Sequence, residues 1–284
     1  MKEYVYEVNT DGQDAPAKVL RAVGIGKRVL EVGCASGVQT RILKERQHCT
    51  VTGIEINAEA AKSAEPFCEY LVIGDLETLD LGAAIGDRRY DVITIADVLE
   101  HLRNPGQVLR QLTHFLDEGG YIVASIPNVV HAGLILDMAN GRFDYRPYGL
   151  LDDTHLRFFT LKTVHKLFEE CRLEIVDMDR VSRTVEGSEF FHRPLSPDES
   201  AVLHYVQAHN KEWQTYQFIV KARLGLVHGP EGVAAKLDRA DHVHRLELEN
   251  SALRKQIAAL GSRLHWVESR PAYRMLSRIR RLLP

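Results

Sequence analysis

Apolar runs alternate with amphipathic stretches over most of the chain. Runs typical of buried strands occupy residues 28–32, 49–56, 71–75, 90–97, 121–127, 173–181 and 216–224. Between them, segments with apolar residues three or four positions apart predict helices at 38–47, 105–116, 160–171 and about 198–209. Strands that alternate with helices indicate an α/β protein whose mostly parallel sheet is covered on both faces.

A glycine-rich turn follows the first predicted strand, in the sequence VLEVGCASG at residues 29–37. Gly33 allows a ligand to approach the backbone closely, and the helix that follows presents unpaired N–H groups. The turn is not the dinucleotide fingerprint G-x-G-x-x-G, because Ala35 and Val38 occupy two of its glycine positions. Glu31 places a carboxylate where a pyrophosphate would sit, so the turn suits a cationic ligand.

Two more acids, Glu55 and Asp75, stand at the ends of the next two predicted strands. With Glu31 and the glycine turn, they make the chain resemble the class I S-adenosylmethionine-dependent methyltransferases, whose first motif reads E/D-x-G-x-G-x-G. Ala35 replaces the middle glycine. The resemblance implies a Rossmann-like seven-stranded sheet in which the last two strands form an antiparallel pair.

The resemblance also implies how S-adenosylmethionine is held. It places Glu31 at the methionine end, Glu55 at the ribose hydroxyls and Asp75 at the adenine amino group, with Asp97 near the methyl donor. The cofactor-binding residues that it implies are Glu31, Gly33, Cys34, Gly37, Glu55, Ile56, Asp75, Leu76 and Asp97.

A long connection, residues 127–160, follows the fifth strand at the sheet edge where ligands bind in such folds. Its segment GLLDDTHLRFFT, residues 149–160, is similar to one in bacterial methyltransferases associated with surface-polysaccharide and glycan biosynthesis. This resemblance implies an O-methyltransferase that acts on a sugar hydroxyl of a cell-surface glycan or its precursor. Two alternatives stay open: a small lipid-linked or quinone-like acceptor, which the aromatic residues of the loop would suit, and a non-catalytic scaffold of glycan assembly.

His155 is the predicted general base, because a neutral imidazole accepts a proton from an attacking hydroxyl near pH 7. Asp152 or Asp153 would orient its ring. The alternative is structural: Asp153 and Thr154 cap the following turn, and His155 packs or hydrogen-bonds without a chemical role.

Other polar residues in or near this loop are weaker candidates for a role in catalysis or acceptor binding. His131 is a second candidate base. Glu100 and His101 are expected to begin the next helix. Arg142, Arg146 and Arg157 either hold an acidic acceptor or are ordinary surface arginines.

The last part of the chain predicts a coiled coil. Positions Val243, Asn250, Ile257 and Leu264 alternate with Leu246, Leu253, Leu260 and Val267 in a heptad pattern typical of parallel two-stranded coils. The predicted organisation is a methyltransferase domain at 1–228 with an insertion at about 184–211, a coiled-coil extension at 229–268 and a basic amphipathic tail at 269–284. A homodimer through 243–267 is expected, with a single helix folded onto its own domain as the alternative. The tail is a candidate contact with a membrane face or a partner protein.

Composition narrows the functional classes. The chain has 284 residues and a net charge of −3, which argues against a nucleic-acid partner. It has no apolar run long enough to span a membrane and no signal peptide, so a cytoplasmic location is expected, with the inner membrane face as an alternative. Its four cysteines lack C-x-x-C spacing, which favours reduced buried thiols. No metal site is predicted, because His242 and His244 lack suitable partners.

Overall fold

The computed structural model describes residues 8–191 and 193–225, which belong to a compact unit that ends at Gly225. Seven strands form one sheet in the order β3-β2-β1-β4-β5-β7-β6. Their bounds are β1 Arg28–Val32, β2 Thr50–Glu55, β3 Tyr70–Ile73, β4 Tyr90–Ala96, β5 Leu116–Pro127, β6 Leu173–Ser182 and β7 Thr215–Leu224.

The direction of the strands matches the predicted fold class. β1 to β5 run parallel to one another, whereas β7 is antiparallel to both β5 and β6. The Rossmann-like seven-stranded sheet with an antiparallel pair at its edge is therefore confirmed.

Eight helices lie in the described part of the chain. Their bounds are α1 Ala15–Val23, α2 Val38–Glu45, α3 Ala58–Ala64, α4 Leu81–Ile85, α5 Pro105–Thr113, α6 Ala132–Ala139, α7 Leu161–Glu170 and α8 Pro197–His209. Side-chain caps fix where several of them begin. Asp14 accepts a hydrogen bond from the first turn of α1, and Thr160 and Ser196 form capping boxes at α7 and α8.

The two faces of the sheet carry separate apolar cores. Leu30 of β1 and Ile93 of β4 belong to a cluster that includes Phe168 of α7. Val29 and the neighbouring Val92 belong instead to a cluster with residues of α1 and α2. Because successive side chains of a strand point to opposite faces, both faces need helical cover, and the continuous apolar runs in the sequence reflect this.

The fifth strand begins earlier than the sequence predicts. The pattern placed a helix over 105–116 and a strand from 121, whereas α5 ends at Thr113 and β5 begins at Leu116. Gly119, with φ of +76°, lies inside this strand, and the pairing with β4 shifts register between Tyr90 and Val92. Gly119 and Gly120, which the sequence pattern interprets as the end of the helix over 105–116, therefore mark an irregularity within a strand.

The segment between β6 and β7 packs as part of the same unit. Its residues Val185 and Val206 share an apolar cluster with Ala132 and Leu136 of α6. The predicted insertion at about 184–211 thus contains α8 and covers α6.

The predictions for 229–268 and 269–284, including the coiled coil, the dimer contact at 243–267 and the basic tail, lie outside the described residues. Among the described residues, no helix is long and apolar enough to cross a membrane. The cytoplasmic location stays a prediction.

A substitution at Phe168 tests the packing of α7 on the sheet. Phe168 is fully buried in the larger core cluster, so Phe168→Ala should lower the free energy of unfolding by about 3–5 kcal/mol, through lost apolar contact and the cavity left behind. Urea unfolding followed by circular dichroism measures this. His165→Ala, an exposed position on the same helix, is the control and should change stability by less than about 0.5 kcal/mol. Equal effects of the two substitutions would contradict the packing.

Candidate cofactor crevice and active site

The site lies where the sheet changes its winding direction. β1 is central, with β2 and β3 on one side and β4 and β5 on the other. In open α/β sheets this reversal leaves a crevice beyond the carboxyl ends of the strands, and ligands bind there. The residues that follow β1, β2, β3 and β4 all meet at this edge, because these strands are parallel.

The turn after β1 has a backbone that glycine permits. Gly33 and Gly37 have φ of +76° and +81°, and Ala35 also adopts a left-handed value of +47°. A Cβ at position 33 would lie 2.6 Å from Val98 Cγ2, and one at position 37 would lie 2.6 Å from Ala64 Cα. Neither position can therefore carry a larger residue without displacing its neighbours.

Hydrogen bonds hold this turn against β2. The N–H groups of Gly33 and Cys34 donate to the carbonyl of Ile54 at 2.8 and 3.2 Å. The side chain of Cys34 is buried. All four cysteines are free thiols.

Glu31 is buried at the end of β1. Thr40 Oγ1 of α2 donates a hydrogen bond of 2.6 Å to its Oε2 atom. Burial raises the pKa of Glu31 to about 8, because the charged form loses its hydration. A cationic group of a ligand would stabilise the carboxylate, as the sequence reasoning proposed.

Glu55 ends β2 and ties two backbone segments together. Its Oε2 accepts a hydrogen bond of 2.8 Å from Ala35 N–H, and its Oε1 accepts one of the same length from Asn57 N–H. The carboxylate thus links the glycine turn to the start of α3, a structural role that the sequence reasoning missed. Each oxygen still has a second lone pair for a ligand hydroxyl.

Asp75 and its neighbours border the crevice from the β3 side. Asp75 is exposed and its Oδ1 accepts a hydrogen bond of 2.9 Å from Glu77 N–H, whereas Leu76 is buried. Ile56, directly after β2, exposes 54% of its surface. An exposed apolar side chain flanked by the two carboxylates of Glu55 and Asp75 suits a ligand with a flat ring and hydroxyl groups.

Asp97 follows β4 with a left-handed φ of +52°. Its Oδ1 accepts a hydrogen bond of 2.6 Å from Gln217 Nε2 of β7. The residue is exposed, but the surrounding chain partly replaces water around its carboxylate and raises its pKa. Asp97 therefore stands at the carboxyl end of β4, directly before Val98.

These features fit S-adenosylmethionine. The left-handed turn at Gly33 admits close approach, Glu31 offers a buried carboxylate to a cationic group, and Glu55 offers hydrogen-bond acceptors to a diol. For every predicted cofactor-binding residue, the atoms of S-adenosylmethionine that it contacts stay a prediction.

His155 lies 9% exposed, beside Glu100 and His101. Its Nε2 atom is 3.9 Å from Glu100 Oε1, and its ring meets that of His101 edge to face with centroids 4.8 Å apart. Its Nδ1 is 3.2 Å from the carbonyl oxygen of Leu150. The ring orientation is thus fixed in part by a backbone carbonyl, which the sequence could not show.

Asp152 and Asp153 differ in their surroundings. Asp152 is buried, and its Oδ1 accepts hydrogen bonds from Thr154 N–H at 2.9 Å and Thr154 Oγ1 at 2.6 Å. Asp153 is exposed. Asp152 therefore caps the turn that presents His155, and the orienting role predicted for the two aspartates stays a prediction.

Glu100 and His101 form a short 3-10 turn, Leu99–His101, and not the start of α5. Asn104 caps that helix and Pro105 begins it. Glu100 is 1% exposed, and neither of its carboxylate oxygens has a hydrogen-bond partner in the described part of the chain. Burial raises its pKa well above the ordinary value, and the nearby charges of Asp97 and Asp152 raise it further.

His131 has a structural position. Its Nδ1 accepts a hydrogen bond from Gly133 N–H as the N-cap of α6, and its Nε2 lies 2.9 Å from the Arg183 carbonyl oxygen. Burial lowers its pKa. Because both ring nitrogens are engaged, His131 is not suited to take a proton from an acceptor.

The three arginines of the long loop have partners within the protein. Arg142 is paired with Asp137, Arg146 Nη1 donates to the Glu189 carbonyl oxygen, and Arg157 donates to the Arg103 carbonyl oxygen. These contacts favour a structural role in ordering the loop over a role in holding an acidic acceptor.

Comparison with known proteins identifies the fold first. The structure is similar to that of magnesium protoporphyrin IX methyltransferase from Synechocystis PCC 6803 with bound SAH, with a TM-score of 0.50 and 15% identity over 74% of this chain and 82% of that one. It is also similar to a SAM-dependent methyltransferase from Archaeoglobus fulgidus, with a TM-score of 0.50 and 18% identity over 73% of this chain and 91% of that one. The fold is that of S-adenosylmethionine-dependent methyltransferases.

The family follows from the sequence. A family model described as a methyltransferase domain matches residues 9–177, and the chain belongs to this family. S-adenosylmethionine, the predicted cofactor, is thereby confirmed as the cofactor of the class.

Some relatives have a more specific name than the description of the family model. Ubiquinone biosynthesis O-methyltransferase from Serratia proteamaculans (strain 568) is 32% identical over 158 residues, which are 48% of this chain and 65% of that protein. The protein of that name from Proteus mirabilis (strain HI4320) is 32% identical over 168 residues, 51% of this chain and 67% of that protein. The predicted resemblance to surface-polysaccharide enzymes is not supported by these relatives.

The substitution Glu55→Gln tests whether S-adenosylmethionine binds in the crevice. We expect it to weaken S-adenosylmethionine binding by about tenfold or more, since a ligand hydroxyl loses a charged acceptor worth about 1.5–3 kcal/mol. Isothermal titration calorimetry measures the affinity, and Glu59→Gln on the exposed surface of α3 is the matched control. Undiminished binding by the Glu55 variant would show that the ribose is held elsewhere.

The buried acid Glu31 makes stability depend on pH. Its pKa is about 8 in the folded protein against an ordinary 4.5, so the folded state holds the proton more tightly. Its contribution to stability therefore falls as pH rises from about 4.5 to 8, by at most about 1.4 kcal/mol per pH unit. Without ligand, Glu31→Gln should gain stability relative to the natural protein across this window, measured by urea unfolding. A constant difference between the two proteins from pH 5 to 8 would argue against a neutral buried Glu31.

Proposed function

We propose that the protein is an S-adenosylmethionine-dependent O-methyltransferase whose acceptor is a small, quinone-like aromatic molecule. The observation that carries this proposal is the similarity to ubiquinone biosynthesis O-methyltransferases over about half of the chain. Because the chain spans 65% of the length of the Serratia relative, activity and acceptor are both proposals for this protein.

Aromatic rings beside the candidate site support a flat acceptor. From the buried ring of His155, edge-to-face contacts lead through Phe158 and Phe143 to Tyr145, with centroid separations of 6.4, 6.0 and 5.7 Å. Phe143 and Tyr145 expose 42% and 56% of their surfaces. Such a row from the interior to solvent offers ring edges and faces on which an aromatic acceptor can pack.

Methyl transfer requires little beyond alignment of the acceptor oxygen with the methyl group and removal of the hydroxyl proton. S-adenosylmethionine supplies an electrophilic methyl group when bound. The chain must hold the acceptor oxygen in line with that group, exclude competing water and accept or release the hydroxyl proton. Glu100, His101 and His155 are the described groups near the crevice that suit the last task.

A sugar hydroxyl of a surface glycan is the less favoured acceptor. The three loop arginines that could hold an acidic sugar are occupied within the protein, and the relatives do not support a glycan substrate. A scaffold without activity is disfavoured by the retained crevice residues Glu31 and Glu55.

An acceptor panel tests the proposal. Purified full-length protein is incubated with methyl-labelled S-adenosylmethionine and either dihydroxylated aromatic compounds with a short isoprenoid chain or matched sugars and nucleotide sugars. Transfer to an aromatic hydroxyl, detected by mass spectrometry, supports the proposal. Transfer to sugars alone would overturn it.

His155 should matter for turnover more than for cofactor binding. We expect His155→Ala to lower kcat by about 100-fold or more, while S-adenosylmethionine affinity stays within about threefold, because the residue lies beside the proposed acceptor site. Steady-state kinetics and calorimetry separate the two effects, with His165→Ala as the control. Parallel losses of thermal stability, cofactor affinity and turnover would instead assign His155 to the structure.

A further inference from the structure

Three ligand-type side chains converge beside the turn that Asp152 caps. Glu100, His101 and His155 each offer one atom, a carboxylate oxygen or a ring nitrogen, and these atoms all lie within 4.8 Å of one another. They come from two segments, the 3-10 turn after β4 and the loop 149–160. Their separation is small enough for one ion to reach all three after slight side-chain movement.

The buried carboxylate of Glu100 points to a cation. It is 1% exposed and lacks a hydrogen-bond partner in the described part of the chain, although a buried carboxylate is costly without one. Asp97 and Asp152 add further negative charge next to it. Two acids beside an unsatisfied carboxylate form an environment that a positive ion would stabilise.

Both histidines are oriented as metal ligands usually are. Nδ1 of His155 is 3.2 Å from the Leu150 carbonyl oxygen, and Nδ1 of His101 is 3.2 Å from the Thr154 carbonyl oxygen. A carbonyl oxygen only accepts, so each contact is a hydrogen bond when Nδ1 carries the proton, and that tautomer leaves the lone pair on Nε2. Metal-bound histidines commonly donate their second ring nitrogen in this way.

We propose that Glu100, His101 and His155 bind one divalent transition-metal ion of the zinc class. Two imidazoles and one carboxylate favour zinc, iron or cobalt over magnesium and calcium, which prefer sets made of oxygen atoms alone. Three protein ligands leave a coordination position open.

The open position gives the ion a role that rests on the proposed function. An acceptor hydroxyl held there becomes more acidic, so its proton is released to water. The oxygen then forms its bond to the methyl carbon while the carbon–sulfur bond of S-adenosylmethionine breaks, with the electron pair returning to sulfur. His155 would act in this case as a ligand and not as the general base.

Metal titration without acceptor tests the site. Untagged full-length protein is stripped with a chelator and titrated with Zn²⁺ by calorimetry, and with Co²⁺ as a probe whose visible spectrum reports imidazole ligation. We expect one tight site in the natural protein, and at least tenfold weaker binding with loss of the Co²⁺ spectrum in Glu100→Gln and His155→Ala.

Two controls separate this site from other histidines. His165→Ala removes an exposed histidine, and the double variant His242→Gln/His244→Gln removes the pair outside the described residues. Both should bind like the natural protein. S-adenosylmethionine affinity checks that each variant folds, and if Glu100→Gln does not fold, His101→Asn takes its place in the same comparison.

The outcomes are distinct from those of the acceptor panel. Absence of Zn²⁺ binding, equal binding by the site variants, or binding lost only in the double variant would overturn the metal site. Full methylation after chelation would overturn the role of the ion in transfer. One tight site in a protein that methylates no aromatic acceptor would support the metal site while contradicting the proposed function.

Discussion

Carboxylates collected at one edge of the sheet are the constraint on which the structure of the site depends. Parallel strands bring Glu31, Glu55 and Asp97 to the same edge, and the turn after β4 adds Glu100. The fold accommodates them differently: Thr40 donates to Glu31, two backbone N–H groups donate to Glu55, and Gln217 donates to Asp97. Glu100 alone among these four lacks such a donor in the described part of the chain. An edge so rich in acids suits cationic ligands, first of all a sulfonium cofactor.

Glu55 shows how cofactor binding and local structure are coupled. Its carboxylate holds the glycine turn through Ala35 N–H and the start of α3 through Asn57 N–H. The residue that offers acceptors to a ribose therefore also fixes the turn against which the rest of the cofactor lies.

Much of the fold could be predicted from the sequence, because apolar runs, glycines and caps report local structure. The strands β1, β4 and β7 lie within one residue of their predicted bounds, and α7 and α8 nearly match. The start of β5 was missed because the glycines at 119 and 120 read locally as a helix end, whereas pairing with β4 keeps the strand extended. The acids of the crevice were recognisable because each follows a strand.

The cluster of Glu100, His101 and His155 could not be predicted from the sequence. Its members come from segments more than fifty positions apart, and no spacing rule joins a 3-10 turn to a distant loop. Sequence reasoning placed Glu100 and His101 in a helix and paired His155 with its neighbours Asp152 and Asp153. Tertiary packing of loop 149–160 against the turn after β4, through Leu156 N–H and Arg157 N–H donated to the Glu100 carbonyl oxygen, brings the three together.

A crystal structure of the full-length protein with S-adenosylhomocysteine tests the central claim most directly, since it shows where the cofactor lies relative to the acids. We expect density in the crevice beyond β1 and β4, with the ribose hydroxyls within hydrogen-bond distance of Glu55 and the methionine end near Glu31. Density at another surface, or in this crevice without contact to either carboxylate, would contradict it.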